Sequence, residues 1–145
     1  MGTDRLTPER RSWNMSRIRG RNTIPEQRVR SLLHRLGFRF SLHRKDLPGK
    51  PDIVLPARHA VVFVHGCFWH QHPGCANASM PTARRSFWQQ KLGGNVFRDK
   101  VVQERLRSLG WEVLTVWECE LRDEEKLALW MKDGLVHAAG ARQSA

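Results

Sequence analysis

Cys67, His72 and Cys75 stand in a Cys-x4-His-x2-Cys run, and a third cysteine, Cys119, lies far downstream. Three thiolates and one imidazole make a soft tetrahedral donor set of the kind that zinc takes. Four protein ligands leave no open position, so such a zinc would be structural. The competing explanation is ordinary buried cysteines and a surface histidine. Three ligands gathered in one short loop weigh against it. A loop without a core of its own also needs a metal or a neighbour to order it.

A second group could do acid–base chemistry. Asp52 opens an apolar stretch after Gly49-Lys50-Pro51, the next apolar stretch ends in Val64-His65, and His70 follows soon after. A carboxylate at one strand end beside a second strand end can hold Mg²⁺, with backbone carbonyls and waters completing the octahedron. Phosphodiester cleavage needs a metal to polarise the phosphate, a base for water and an acid for the departing oxygen. Taken singly, Asp52 is as readily a turn residue and His65 a structural histidine. Their combination carries the signal.

The elements that must position these groups can be read from periodicity. Thr23 and Glu26 have capping-box spacing, Pro25 suits a first turn, and Val29, Leu32, Leu33 and Leu36 repeat at helical spacing up to Gly37. Residues 38–42 alternate like a half-buried strand, and 52–55 and 60–65 read as two central strands joined by a tight turn at 56–59. Gly66 to Pro81 is small, polar and poor in aliphatic residues. A helix is expected from about 82–86 to Leu92, ending at Gly93-Gly94. A second should run from Asn95 to Leu109, with Val101, Val102, Leu106 and Leu109 inward. Residues 111–117 form a strand, and Leu127–Trp130 belong to a last helix. This order implies an α/β sheet flanked by helices. The domain reading is a basic arm at 1–22, one folded unit at 23–137 and a flexible tail at 138–145.

Composition narrows the partners. The chain has 145 residues, 40% of them hydrophobic, which suits one core. Lys and Arg number 25 against 14 Asp and Glu, for a formal charge of +11 concentrated in residues 1–66. A compact chain this basic suits a polyanion, nucleic acid first. Six tryptophans fit either a core or base stacking. No apolar run reaches the ~20 residues of a membrane helix, so no membrane partner is expected. The N-terminus has no segment of signal-peptide type, so secretion is not expected and disulfides are disfavoured.

Pro51-Asp52-Ile53-Val54, followed by Phe63-Val64-His65-Gly66-Cys67-Phe68-Trp69-His70, closely resembles the very short patch repair endonucleases, the T:G mismatch nicking enzymes of bacteria. The resemblance continues through Arg84-Arg85-Ser86-Phe87-Trp88, Lys91, Asn95, Arg98-Asp99 and Trp117-Glu118-Cys119, covering about residues 10–122. It implies a PD-(D/E)XK restriction-endonuclease-like fold, with a central mixed β-sheet flanked by helices and a zinc-stapled loop.

The resemblance also implies roles. Asp52 matches the Mg²⁺-binding aspartate, and Val64 stands where the family uses a backbone carbonyl as metal ligand. Val64 replaces a frequent threonine, a change that a main-chain ligand tolerates. His70 matches the general base, His65 the histidine assisting at the phosphate or leaving group, and Glu26 a glutamate supporting that network. Cys67, His72, Cys75 and Cys119 match the zinc ligands, with a Pro73-Gly74 spacer one residue longer than the family pattern. Phe68, Trp69 and Trp88 match aromatics that wedge beside the mismatch. Opening the stack there costs less than at a paired step. Trp88 alone would read as core, whereas Phe68 and Trp69, adjacent in a polar loop, cannot both easily point inward, so exposure is expected. Met15 and Ile18 match minor-groove residues of the arm. Lys91 and Asn95 match contacts to the mismatched pair and share a helix face if Gly93-Gly94 does not break it.

The expected function is nicking 5′ of the T in a T:G mismatch, starting repair of deaminated 5-methylcytosine. The partner is double-stranded DNA, with downstream repair proteins possible. A monomer in the bacterial cytoplasm, at the nucleoid when acting, is the expected state. The rivals are a restriction-type or structure-specific nuclease of the same fold, a non-catalytic zinc-containing DNA-binding module, and a basic scaffold.

Overall fold

The computed structural model describes residues 23–144, with side chains described through His137. The segment 1–22, with Met15 and Ile18, lies outside the described residues, as does Ala145.

The first helix, α1, spans Ile24–Arg35. The Thr23 hydroxyl accepts the Glu26 N–H at 3.3 Å, and Pro25 sits in the first turn, as the spacing implies. Four strands follow: β1 (Ser41–Leu42), β2 (Ile53–Leu55), β3 (Ala60–His65) and β4 (Glu112–Trp117). They form one sheet in the order β1-β2-β3-β4. The first two pairings are antiparallel and β3–β4 is parallel, so the sheet is mixed. The parallel pair needs a long crossover. That crossover holds the loop after His65 and helix α2 (Arg85–Ser108). Helix α3 (Glu124–Ser144) closes the chain and continues through 138–144, where a tail is expected.

Side-chain alternation gives the sheet two apolar faces. Ile53, Leu55, Ala60, Val62, Leu114 and Val116 face Val29, Leu32 and Leu33 of α1 and Leu127, Met131 and Leu135 of α3. Val54, Val61 and Phe63 face Leu106 of α2, with Val102 and Trp111 packed alongside. The result is a sheet between helices.

Three local expectations need correction. Residues 38–42 form only a two-residue strand, because Phe38 turns into the core and leaves the edge. Gly93-Gly94 does not divide two helices, and α2 is continuous. Glycine costs each position about 1 kcal/mol relative to alanine, but Leu92 and Asn95 are buried on either side, and packing there outweighs that cost. Finally, Val101 and Leu109 point outward, Leu109 being 58% exposed. Along that half of α2 the sheet is met through Leu106 and Val102, and Gln103 Nε2 donates to Thr115 Oγ1 of β4 at 3.3 Å.

Register places the chemistry. β3 and β4 pair His65 with Trp117, so residues two further along each strand, Cys67 and Cys119, emerge side by side. The loop before β2 is closed by Gly49 at φ +72, whose missing Cβ would lie 2.3 Å from Val102 Cγ1 on α2. Gly49→Ala is therefore expected to cost about 2–4 kcal/mol, from left-handed backbone plus overpacking. Urea unfolding reads this directly, and an unchanged midpoint would show that the loop does not need to lie against α2.

Candidate active site

The loop after β3 winds on itself through backbone bonds. His70 N–H donates to Gly66 C=O at 3.1 Å, and His72 N–H donates to Cys67 C=O at 2.9 Å. Cys119 arrives on a 3-10 turn, Glu118–Arg122, where the Glu120 carboxylate accepts Trp117 N–H at 2.7 Å. The ligand atoms of Cys67, His72, Cys75 and Cys119 all lie within 4.8 Å of one another. His72 stacks on Trp117 with centroids 4.2 Å apart, which fixes its ring. Burial pushes the Cys67 thiol above its ordinary range, with the neighbouring thiols adding to the shift. Three crowded thiols and an imidazole are a donor set that a soft divalent cation such as zinc fits.

Asp52 sits immediately before β2, and its Oδ2 accepts Val64 N–H from β3 at 2.7 Å. Burial raises its carboxyl to about 7, against the pull of that N–H, with Glu26 adding to the rise and Arg30 opposing it. Glu26 is buried on the first turn of α1. Its Oε2 takes Arg30 Nη2 at 3.0 Å and contacts His43 Nε2 at 3.1 Å. His43 has left-handed backbone, φ 50, and its N–H donates to Asp52 C=O at 3.3 Å. Glu26, His43 and Asp52 thus present ligand atoms within 4.8 Å of one another.

His65 and His70 stack face to face, centroids 3.8 Å apart and planes 5° from parallel. His70 Nδ1 pairs with Asp99 Oδ2 of α2 at 2.6 Å. His65 is 4% exposed. Burial, then the neighbouring His70, lowers its pKa to about 3, so it is a neutral imidazole near pH 7. Its Nδ1 is buried without a hydrogen-bond partner. Although His65, His70 and Asp99 are close, parallel stacked rings keep their in-plane lone pairs from converging on one ion. This trio suits proton handling rather than metal binding.

Two clefts flank the histidines. One, of about 480 Å³, is lined by Glu26, Val64, Phe68, Trp69 and His70 among others. The other, of about 200 Å³, is lined by His65, Arg98, Asp99 and Gln103 with Gly49 and Phe63.

Residues 3–77 match the family described as DNA mismatch endonuclease Vsr. The chain belongs to that family. It is 54% identical to the type II nicking enzyme V.XorIIP of Xanthomonas oryzae pv. oryzae, over 83% of this chain and 88% of the relative. It is 48% identical to the DNA mismatch endonuclease Vsr of Escherichia coli K12, over 81% of this chain and 74% of that protein. The type II nicking enzyme V.NmeAIP of Neisseria meningitidis is 41% identical over 84% and 86%.

Within this Vsr-family chain the expected wedge residues form one aromatic cluster. Phe68 meets Trp69 and Trp88 edge-on, with centroids 5.3 and 5.5 Å apart, and Trp69 lies 6.1 Å from Trp88. Phe68 and Trp69 do not both point inward: Phe68 is partly exposed and Trp69 is buried. Trp69 is 6% exposed, because Phe68, Trp88 and the Lys91 ammonium pack around its ring. Lys91 and Asn95 do share one face of α2. Asn95, expected at the base pair, is buried here. It donates from Nδ2 to Trp69 C=O at 2.9 Å and accepts from Arg98.

Sequence reasoning missed His43 and gave Asp99 no role. Asp99 falls inside the motif carrying the resemblance, as part of Arg98-Asp99, and that was the available signal. For His43 there is no local pattern, because it meets Glu26 only through the folded chain. The sign of one substitution tests the carboxylate cluster. Glu26 repels Asp52 but holds Arg30 and His43, and at 3.0–3.1 Å the direct bonds outweigh the repulsion. Glu26→Ala should destabilise the metal-free protein by about 2–4 kcal/mol. A gain of stability would mean that carboxylate repulsion dominates.

Proposed function

We propose that this chain nicks one strand of a DNA duplex 5′ of the T in a T:G mismatch, beginning very short patch repair of deaminated 5-methylcytosine. The observation that carries the reading is the shared cleft: Glu26, Val64 and His70 border it together with Phe68 and Trp69. A duplex held open by the aromatics would bring its backbone to the acid–base groups. Family membership and a formal charge of +11 agree with a DNA substrate.

The metals follow from donor chemistry. Asp52 and the Val64 carbonyl would hold Mg²⁺, with Glu26 supporting the bound waters. A buried carboxylate beside a half-buried one favours a cation, and the opposition to charge on Asp52 is what a divalent ion would relieve. When bound, magnesium supplies polarisation of the phosphate. Cys67, His72, Cys75 and Cys119 would hold a structural zinc.

The chain's own groups divide the rest. Asp99 orients His70 through Nδ1, which leaves Nε2 to take a proton from water. His65, neutral at working pH, offers a ring nitrogen at the phosphate without competing as a second cation against its stacked neighbour. Phe68, Trp69 and Trp88 supply aromatic faces that replace lost base stacking. Lys91 would meet the mismatched pair, and Met15 and Ile18 of the arm would enter the minor groove. We infer action as a monomer on nucleoid DNA in a bacterial cytoplasm, ahead of repair proteins that fill the gap.

Labelled duplexes identical except for one T:G pair, in varied flanks, test the reading. Wild type should nick 5′ of the T only with Mg²⁺. Asp52→Ala should lower that rate by at least about 10²–10³-fold, the scale of one major electrostatic contribution. Equal cutting of C:G duplexes would indicate a restriction-type nuclease, and mismatch binding without cleavage in any flank a binding module. For the zinc, Cys119→Ser should weaken metal retention beyond the roughly 10–100-fold typical of losing a supporting contact. Metal content after dialysis measures it, and an unchanged content would remove Cys119 from the ligand set.

A further inference from the structure

Helix α2 grips two consecutive loop residues from one of its faces. Lys91, Asn95 and Asp99 are spaced four apart, so they lie above one another on successive turns. The Lys91 ammonium lies 5.7 Å from the Trp69 ring centroid, within cation–π range. Asn95 Nδ2 donates to the Trp69 carbonyl at 2.9 Å. Asp99 Oδ2 holds His70 Nδ1 at 2.6 Å. One rigid element therefore fastens the side chain and main chain of an aromatic-cluster residue and the side chain of the next residue, the proposed base. Gly66 C=O and the His65 ring bound His70 on its other sides.

We propose that Asn95 is a positioning residue that links the aromatic cluster to His70, so that mismatch insertion governs the cleavage step as well as binding. This rests on the functional reading above. Asn95 is buried and used at both ends, by the Trp69 carbonyl and by Arg98. Such bonds in a low-dielectric setting resist displacement. Trp69 and His70 share a peptide unit, so a shift of the Trp69 main chain reaches His70 directly. A misplacement of about 1 Å at a reacting group can cost about 10²-fold in rate. A matched duplex, which does not insert the aromatics, would leave His70 short of its working position.

The link and a base contact leave different signatures. If Asn95 only touches the mismatched pair, its loss weakens binding and spares the rate at saturation. If it positions His70, the saturating rate falls. Single-turnover nicking with enzyme in excess separates the two, using Asn95→Ala and the near-isosteric Asn95→Asp, which can accept from Arg98 but cannot donate to Trp69 C=O. The expected result is a drop of about 10- to 100-fold in saturating rate on T:G duplex. The half-saturating concentration should move by less than about threefold, and the T:G over C:G ratio at saturation should shrink. Combining Asn95→Ala with Asp99→Asn should cost little more than the larger single loss, because both cut one linkage.

Hydrogen exchange in the DNA-free protein gives a readout independent of nicking. Amides 69–72 should exchange as slowly as residues 92–99 in wild type and faster in either variant. Lost affinity with an unchanged saturating rate, or wild-type amides 69–72 exchanging freely, would overturn the proposal. The wild-type exchange decides it even where a variant unfolds. A wild type without T:G preference would instead overturn the functional reading, leaving the exchange result to stand alone.

Discussion

Residues 66–81 lack the aliphatic side chains to fold themselves, yet most of the groups expected to do chemistry lie within or beside them. Something outside must hold the loop, and the structure supplies three anchors. The β3–β4 register delivers Cys119 to Cys67. Trp117, at the end of β4, stacks under His72. Helix α2 takes the Trp69 carbonyl with Asn95 and the His70 ring with Asp99. Each anchor belongs to an element with its own apolar footing on the sheet. The loop is therefore as well placed as the sheet itself, which a self-supporting surface loop rarely achieves.

Charge is arranged with the same economy. Glu26 is buried and Asp52 half-buried in one corner, where burial opposes charge on Asp52. Help comes from Arg30 and His43 on Glu26 and from a main-chain N–H on Asp52. The help is uneven. Glu26 has two side-chain donors, while Asp52 keeps a carboxyl raised to about 7. The electrostatic deficit thus sits on Asp52, where a cation has most to gain. A few ångströms away the stacked histidines do the opposite. Their proximity disfavours a doubly protonated pair, so burial keeps His65 neutral while Asp99 remains with His70. Burial thus holds His65 neutral, while the Asp99 carboxylate fixes the His70 ring through Nδ1.

The parts of this site legible in the sequence are those whose signal is local. Cys67, His72 and Cys75 advertise themselves by spacing, Thr23 and Glu26 by capping pattern, and β2, β3 and β4 by apolar runs. What was not legible arises from contacts between distant segments. His43 meets Glu26 from seventeen residues away. The burial of Trp69 depends on Trp88 and Lys91 on α2. Gly93-Gly94 misled for a related reason. Helix propensity counts residues one at a time, whereas the helix is held by Leu92, Asn95 and Leu106, whose burial depends on the fold.

That continuity has a consequence for the site. Lys91 precedes the glycine pair, and Asn95 and Asp99 follow it. Had the helix broken there, Lys91 would be on one axis and the other two on another, and their common face would not exist. Glycine at these positions is not required by backbone angle, since both lie in regular helix, and a Cβ at Gly93 would meet nothing within 4 Å. Gly93 is exposed, whereas Gly94 is half-buried beside the Arg98 guanidinium, whose Nη1 lies 3.6 Å from where a Cβ would stand. One continuous helix thus holds both the Trp69 main chain, through Asn95, and the His70 ring, through Asp99.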